Sequence, residues 1–300
     1  MRGWLAQSGS GWWRGPDGLR AGWQALFYSL LLAALVFAEI FLLARIKPPW
    51  LRPEPRLSAG FVAINELLLL VSVFAASAVM AGLEGRSLLS CGLAARHVGR
   101  KLAGGLAAGV AALSFLMALL VTGGWARPHW GGLQAWGAAE SGLAWLGVCL
   151  LVGLTEEMAF RGYLQQSLAR GIGFWRAAFI TSLVFGLLHA TNAHESVIGI
   201  INVCGAGLIL CLALKRTGSL WWPIGFHAGW DFSENFIYGT HDSGQACAGA
   251  LLDTLPYGRP WLSGGLAGPE GSVLGLGVEL VTAGLIFLYL RPRKSSGTGG

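Results

Sequence analysis

Eight apolar stretches, each close to the length of a bilayer crossing, leave this chain few folds to choose from. They run over roughly 23–44, 60–82, 102–124, 142–166, 174–191, 196–214, 219–238 and 272–290. About 20 mostly apolar residues suffice for a helix to cross the hydrocarbon core. The fifth and sixth stretches are short and share a brief polar turn. The composition agrees with this reading. The chain is 54% hydrophobic and 12% charged, where a soluble domain is about 25% charged. We therefore read the fold as all-α, a polytopic transmembrane helix bundle of about eight spans.

No segment stands apart as a soluble domain. The longest weakly hydrophobic stretch, 239–271, holds few core-forming residues for its length. Residues 1–22 read as an N-terminal interfacial segment, with Trp4, Trp12, Trp13 and Trp23 as interfacial anchors. Residues 23–290 form the membrane bundle, with a catalytic core at 142–238, and 291–300 form a disordered basic tail. The first apolar run is too long for a signal-peptide core, and no small-residue cleavage site follows it. Lys47 to Arg56 holds four prolines in ten residues and reads as an extended linker. Leu102 to Ala112 is rich in Gly and Ala, which permits close helix contact.

The net charge of +6 comes from 21 Lys and Arg in short clusters between apolar runs. That pattern suits topology signals and anionic headgroups. Nucleic-acid binding would need a basic face on a folded domain, and none is visible. If the N-terminus lies inside, fifteen basic residues fall in inner segments and six in outer ones. The bias puts both termini of a multi-pass cell-membrane protein in the cytoplasm, although the first outer loop carries four basic residues against it. The five cysteines show no CxxC pairing and read as inert buried thiols.

Against this apolar background a few charges stand out. An ionisable group near the bilayer centre costs at least ~2.5–3.5 kcal/mol, so it is a functional candidate by default. The fourth run ends in Glu156, Glu157 and Arg161. Glu157 and Arg161 are four apart and share a helix face, acid first, and can neutralise each other. Glu156 then points elsewhere and is free for acid/base work. A structural ion pair beside a partly solvated Glu explains the same residues equally well. Phe185 and His189 are also four apart, so the ring can pack on the imidazole. His227 and Asp231 share a face of the seventh run, where the carboxylate could fix the imidazole tautomer or make a helix–helix polar contact. Asn202 and Asn235 suit that second role. Glu39, Glu66 and Glu279 lack partners at helical spacing and read as structural. His194 and Glu195 would open an HExxH zinc motif, but position 198 is Ile198. No GxSxG elbow or GxGD motif occurs.

The three motifs in order are EExxxR (Glu156 to Arg161), FxxxH (Phe185 to His189) and HxxxD (His227 to Asp231). In this they resemble the CPBP family, the CAAX protease and bacteriocin-processing group of intramembrane peptidases, also called Abi proteins. The Arg161–Gly162 pair and the run Arg216 to Trp221 (RTGSLW) look like the family too, and Ser87 to Leu93 is a weaker echo. The resemblance covers about 142–238. At Asp231 prenyl-protein members often carry Asn, whereas bacterial-type members look like this chain.

The resemblance implies an intramembrane endopeptidase acting on a membrane-associated peptide or protein within the lipid bilayer. Glu156 would activate water and His189 would help hold it. His227 and Asp231 would serve the tetrahedral oxyanion, with Glu157 and Arg161 shaping the site. Glu156, His189 and His227 could instead supply three ligands to Zn2+ with a fourth position open. The glutamate-activated water needs no metal. Two rivals remain: a non-catalytic scaffold or bacteriocin-immunity protein of the same fold, and a transporter using the acids as a relay, for which no inverted repeat speaks. Neither substrate nor oligomeric state is readable from the residues. A simple hairpin would put Glu156 and His189 at opposite membrane faces. They can meet only if the fourth span extends to about Arg170 and tilts, or if 162–175 is re-entrant.

Overall fold

The computed structural model describes residues 13–15, 18–51 and 54–290. The expected anchors Trp4 and Trp12, part of the 47–56 linker and the 291–300 tail lie outside the described residues. The architecture is all-α. Helices α1 (Ala21–Ile46), α2 (Ala59–Leu83), α3 (Val98–Thr122) and α4 (Ala135–Glu157) are followed by a π-helical turn, Met158–Leu164, and α5 (Gln165–Ile172). Then come α6 (Phe174–His189), α7 (Val197–Thr217), α8 (Trp221–Phe232) with a second π-turn at Ser233–Tyr238, the four-residue α9 (Pro260–Ser263) and α10 (Val273–Tyr289).

Each apolar run of the sequence is helical. Among the described residues five helices are long and apolar enough to cross a membrane: α1, α2, α3, the composite Ala135–Ile172, and α7. Helices α6 and α10 are apolar but shorter. Phe37, Leu83, Leu280 and Leu288 point outward, as a lipid-facing surface requires. Local chemistry sets several ends. Ser58, Ser196 and Ser272 cap α2, α7 and α10, each accepting a bond from a backbone N–H of the first turn. Gly218 ends α7 in the left-handed conformation.

The weakly hydrophobic 239–271 stretch folds back as a cap. Leu252–Pro256 pairs antiparallel with Ala126–Trp130, the connection between α3 and α4. A short hairpin pairs His241–Asp242 with Gln245–Ala246, and Leu57 bridges to Cys247. Trp145 Nε1 and Ser141 Oγ donate to the Ala248 and Gly249 carbonyls, fixing the cap onto α4. All five cysteines are free, and four are buried.

Helix α8 is the centre of the bundle, packed on α3, α4 and α7. Its contact with α3 is backbone on backbone. Gly105 and Gly109 face Gly225 and Gly229, two GxxxG pairs set against each other. A Cβ at Gly105 would run into the Trp222 carbonyl, and one at Gly225 into the Leu102 carbonyl. Backbone cannot rotate away as a side chain can. We therefore expect Gly225→Val to cost at least ~3 kcal/mol, the upper range for overpacking, read as thermal stability of the detergent-purified protein. Gly99→Ala, on the same α3 but facing open space, is the control and should be neutral or slightly stabilising. Equal stability of the two variants would disprove the close contact.

Candidate active site

The two glutamates sit where α4 changes pitch. Glu157 is the last α-helical residue, and the following seven form the π-turn. Gly162 breaks the path with ψ −114°, after which α5 continues to Ile172. Such turns insert a residue into the helix and commonly mark functional positions. The composite element runs 38 residues, so Glu156 lies near its middle instead of at its end. This is the first of the two routes by which Glu156 and His189 could meet: the fourth apolar helix extends past Arg170.

Glu157 and Arg161 form the expected ion pair. Arg161 Nη1 donates to Glu157 Oε1 at 3.0 Å, and both side chains have 0% exposure. The same Oε1 meets His227 Nδ1 at 3.2 Å. A carboxylate oxygen only accepts, so Nδ1 carries the proton and Nε2 faces the other way. There it lies 3.6 Å from Glu156 Oε2 and 3.6 Å from Asp231 Oδ2. His227 is thus ringed by three carboxylates.

His189 is held differently. Its Nδ1 is 2.9 Å from the Phe185 carbonyl. A carbonyl can only accept, so Nδ1 donates, and Nε2 is left for another partner. Phe185 packs edge-on to His189 at 4.7 Å between ring centres and to His227 at 6.3 Å. The Arg161 guanidinium lies 4.5 Å from the same ring. Gly207 gives the guanidinium room, since a Cβ there would come within 2.9 Å of Nη2.

A cavity of about 470 Å³ joins these groups. Glu156, His189, His227 and Asp231 line it, while Glu157 and Arg161 sit sealed behind its wall. Its apolar sides include Leu32 and Val36 from α1, Leu69 and Val73 from α2, and Val148 from α4. The structure also brings in polar groups that sequence alone reads as structural or leaves unassigned. Glu66 and Glu279 line the cavity, and so do Asp242, Ser243 and Glu270 from the cap. Glu39 does not; it accepts from Ser72 Oγ at 2.7 Å. Asn202 donates to the backbone carbonyls of Glu270 and Ser272, in the segment that leads into α10, and not to a neighbouring helix as expected for it. In the cap, burial raises the Asp242 carboxyl above its usual range, and burial with the nearby Asp242 charge lifts Glu270 to about 7. Glu270 is nevertheless satisfied by Trp230 Nε1 at 3.1 Å and Ser243 Oγ at 2.8 Å.

The zinc alternative meets a geometric obstacle. Among the described residues, one trio of metal-ligating side chains brings its donor atoms within 4.8 Å of one another: Asp231, Glu234 and Asp242. Glu156, His189 and His227 do not gather in that way. The residues as arranged do not fit a zinc ion.

No curated protein and no solved structure matches the chain significantly. A family model does, that of the type II CAAX prenyl endopeptidase Rce1-like proteins, over residues 138–233. The matched stretch spans α4 to the start of the second π-turn and contains all three motifs. Over those residues, about a third of the chain, the sequence matches the CAAX prenyl endopeptidase family, in the CPBP group, with its three motifs in order.

Proposed function

We propose that the chain is an intramembrane endopeptidase that hydrolyses a peptide bond with a glutamate-activated water. The observation that carries this reading is the shared cavity. Four polar side chains from three helices, Glu156, His189, His227 and Asp231, converge on one space that also has aliphatic walls from α1 and α2. The match to the CAAX prenyl endopeptidase family supports peptidase activity on a membrane-associated protein.

In the proposed reaction a water lies between the Glu156 carboxylate and His189 Nε2. Glu156 takes one of its protons as the oxygen attacks the scissile carbonyl carbon. The carbonyl becomes an oxyanion. His227, in its protonated state, donates Nε2–H to that oxyanion while Nδ1–H stays on Glu157, a task worth several kcal/mol. Asp231 keeps the Nε2 proton in place by its charge. Glu156 then returns its proton to the amide nitrogen, the C–N bond breaks, and the two fragments leave. Arg161 balances the charge of Glu157 and holds it in reach of His227. The apolar walls from α1 and α2 suit a lipid-modified or membrane-embedded peptide.

The test is cleavage by the purified full chain of prenylated CAAX peptides and of unprenylated leader-type peptides. In the same assay 1,10-phenanthroline, which strips zinc, should leave the rate within about twofold, because no metal-bound water is required. Loss of activity that zinc restores would overturn the metal-free mechanism. Absence of cleavage on every membrane-associated peptide would favour the scaffold reading instead.

A further inference from the structure

Immediately past the active site, the second π-turn does something the hydrolytic mechanism does not use. It turns Glu234 and Asn235 inward. Glu234 has 0% exposure, and neither of its carboxylate oxygens has a hydrogen-bond partner. A buried carboxylate left so is costly and calls for an explanation. Its neighbours deepen the problem. Oxygens of Glu234, Asp231 and Asp242 all lie within 4.8 Å of one another. Among the described residues a histidine lies against this group, His227, 3.6 Å from Asp231. Arg56 pairs with Asp253 on the exposed surface of the cap.

A separate observation comes from a neutral side chain. Asn235 is buried, and its Nδ2 donates to Asp242 Oδ2 at 2.7 Å, so its amide head lies against the cluster. Its Oδ1 has no partner. A donor–acceptor network would use that oxygen; a cation would too. Three carboxylates and an amide oxygen form an all-oxygen set, which selects hard cations over zinc or copper. Calcium takes six to eight oxygens at about 2.3–2.6 Å and tolerates irregular geometry. An ion at that distance from two opposed ligands spans them at about 5 Å, which covers the spread of this trio. Asp231, Asn235 and Asp242 line the cavity, so an ion has a path in and water can complete its shell.

We propose that Asp231, Glu234 and Asp242, with Asn235 Oδ1, form a binding site for a hard divalent cation, calcium in particular. The site joins three parts of the chain. Asp231 ends the catalytic helix, Glu234 and Asn235 belong to the π-turn, and Asp242 belongs to the cap hairpin. Binding there fastens the cap to α8 and holds Asp231 ionised beside His227. The site stands whether or not the chain cleaves peptides.

The experiment is a titration of the purified full chain, stripped with EGTA in a zwitterionic detergent, with calcium alone and then magnesium alone. Isothermal calorimetry should give a stoichiometry near one for calcium. A hundredfold excess over Kd should raise the melting temperature by roughly 5 °C. Glu234→Gln keeps the shape and should abolish both effects. Asp242→Asn, in the cap, should do the same and serves if the first variant does not fold. Asp253→Asn removes an exposed acid of the same cap and should bind as wild type does. No calcium binding by wild type overturns the proposal and means that protons neutralise the cluster. Binding that survives either isosteric change overturns it as well, because the ion then sits elsewhere.

Discussion

Replacing Glu156 by Gln is expected to lower peptide cleavage by about 10²- to 10⁴-fold, the contribution of a positioned general base, and to leave the fold intact. The reason lies in how little Glu156 does for stability. Its side chain opens on the cavity, and its contact with His227 is a long one of 3.6 Å. The amide has the same shape and orphans no buried partner. It also removes one of the carboxylates facing His227 and Glu66, so the melting temperature should hold or rise slightly. The measurement is kcat of the purified variant beside its thermal unfolding. Activity within a few-fold of wild type would remove Glu156 from the mechanism.

Arg161→Ala should act in the opposite way, on stability and turnover together. Breaking a fully buried pair by removing one partner costs about 3–5 kcal/mol, because the other charge is left unneutralised in a low dielectric. Here the loss spreads further. Arg161 reaches His227 through Glu157 at 3.0 and 3.2 Å. It reaches His189 through the Phe185 ring, which lies between guanidinium and imidazole at 4.5 and 4.7 Å. One side chain therefore supports both histidines. Lysine cannot substitute, since it lacks the planar face and the fixed fork. The double change Glu157→Gln with Arg161→Gln removes both charges and should recover part of the stability and little of the activity. Chemical unfolding in detergent reads the first effect and kcat the second. An Arg161→Ala protein as stable as wild type would mean that the pair is not sealed as described.

These contacts separate what local sequence encodes from what only the tertiary fold creates. Helical periodicity exposes partners four residues apart, so Glu157–Arg161, Phe185–His189 and His227–Asp231 are legible from spacing alone. All three occur at contact distance. The helices are legible for the same reason, as long runs of one chemistry. The bond from Glu157 to His227 is not, because 70 residues separate them and no pattern in either helix points to the other. Glu66 has no partner at helical spacing, yet it faces the cavity from α2. Asp242 and Glu270 lie in a glycine-rich stretch without periodicity, where nothing local says which side chains fold inward. The π-turn after Glu157 has no sequence signal either. Its widening depends on how Gly162 and the packed neighbours let the helix bend, not on any residue type that announces it.

The glycine seam between α3 and α8 bears on how such a chain could change its diet. Two backbones in direct contact leave no layer of side chains through which a shift could be absorbed. The helix that carries His227 and Asp231 is thereby a fixed wall, closed to gradual substitution at Gly105, Gly109, Gly225 and Gly229. The opposite walls are built from ordinary aliphatic side chains, Leu32 and Val36 on α1 and Leu69 and Val73 on α2. Methylene-sized changes there reshape the cavity without moving His227 or Asp231. On the proposed function, novelty in what is cut can therefore accumulate on one side of the cavity while the chemistry stays anchored on the other.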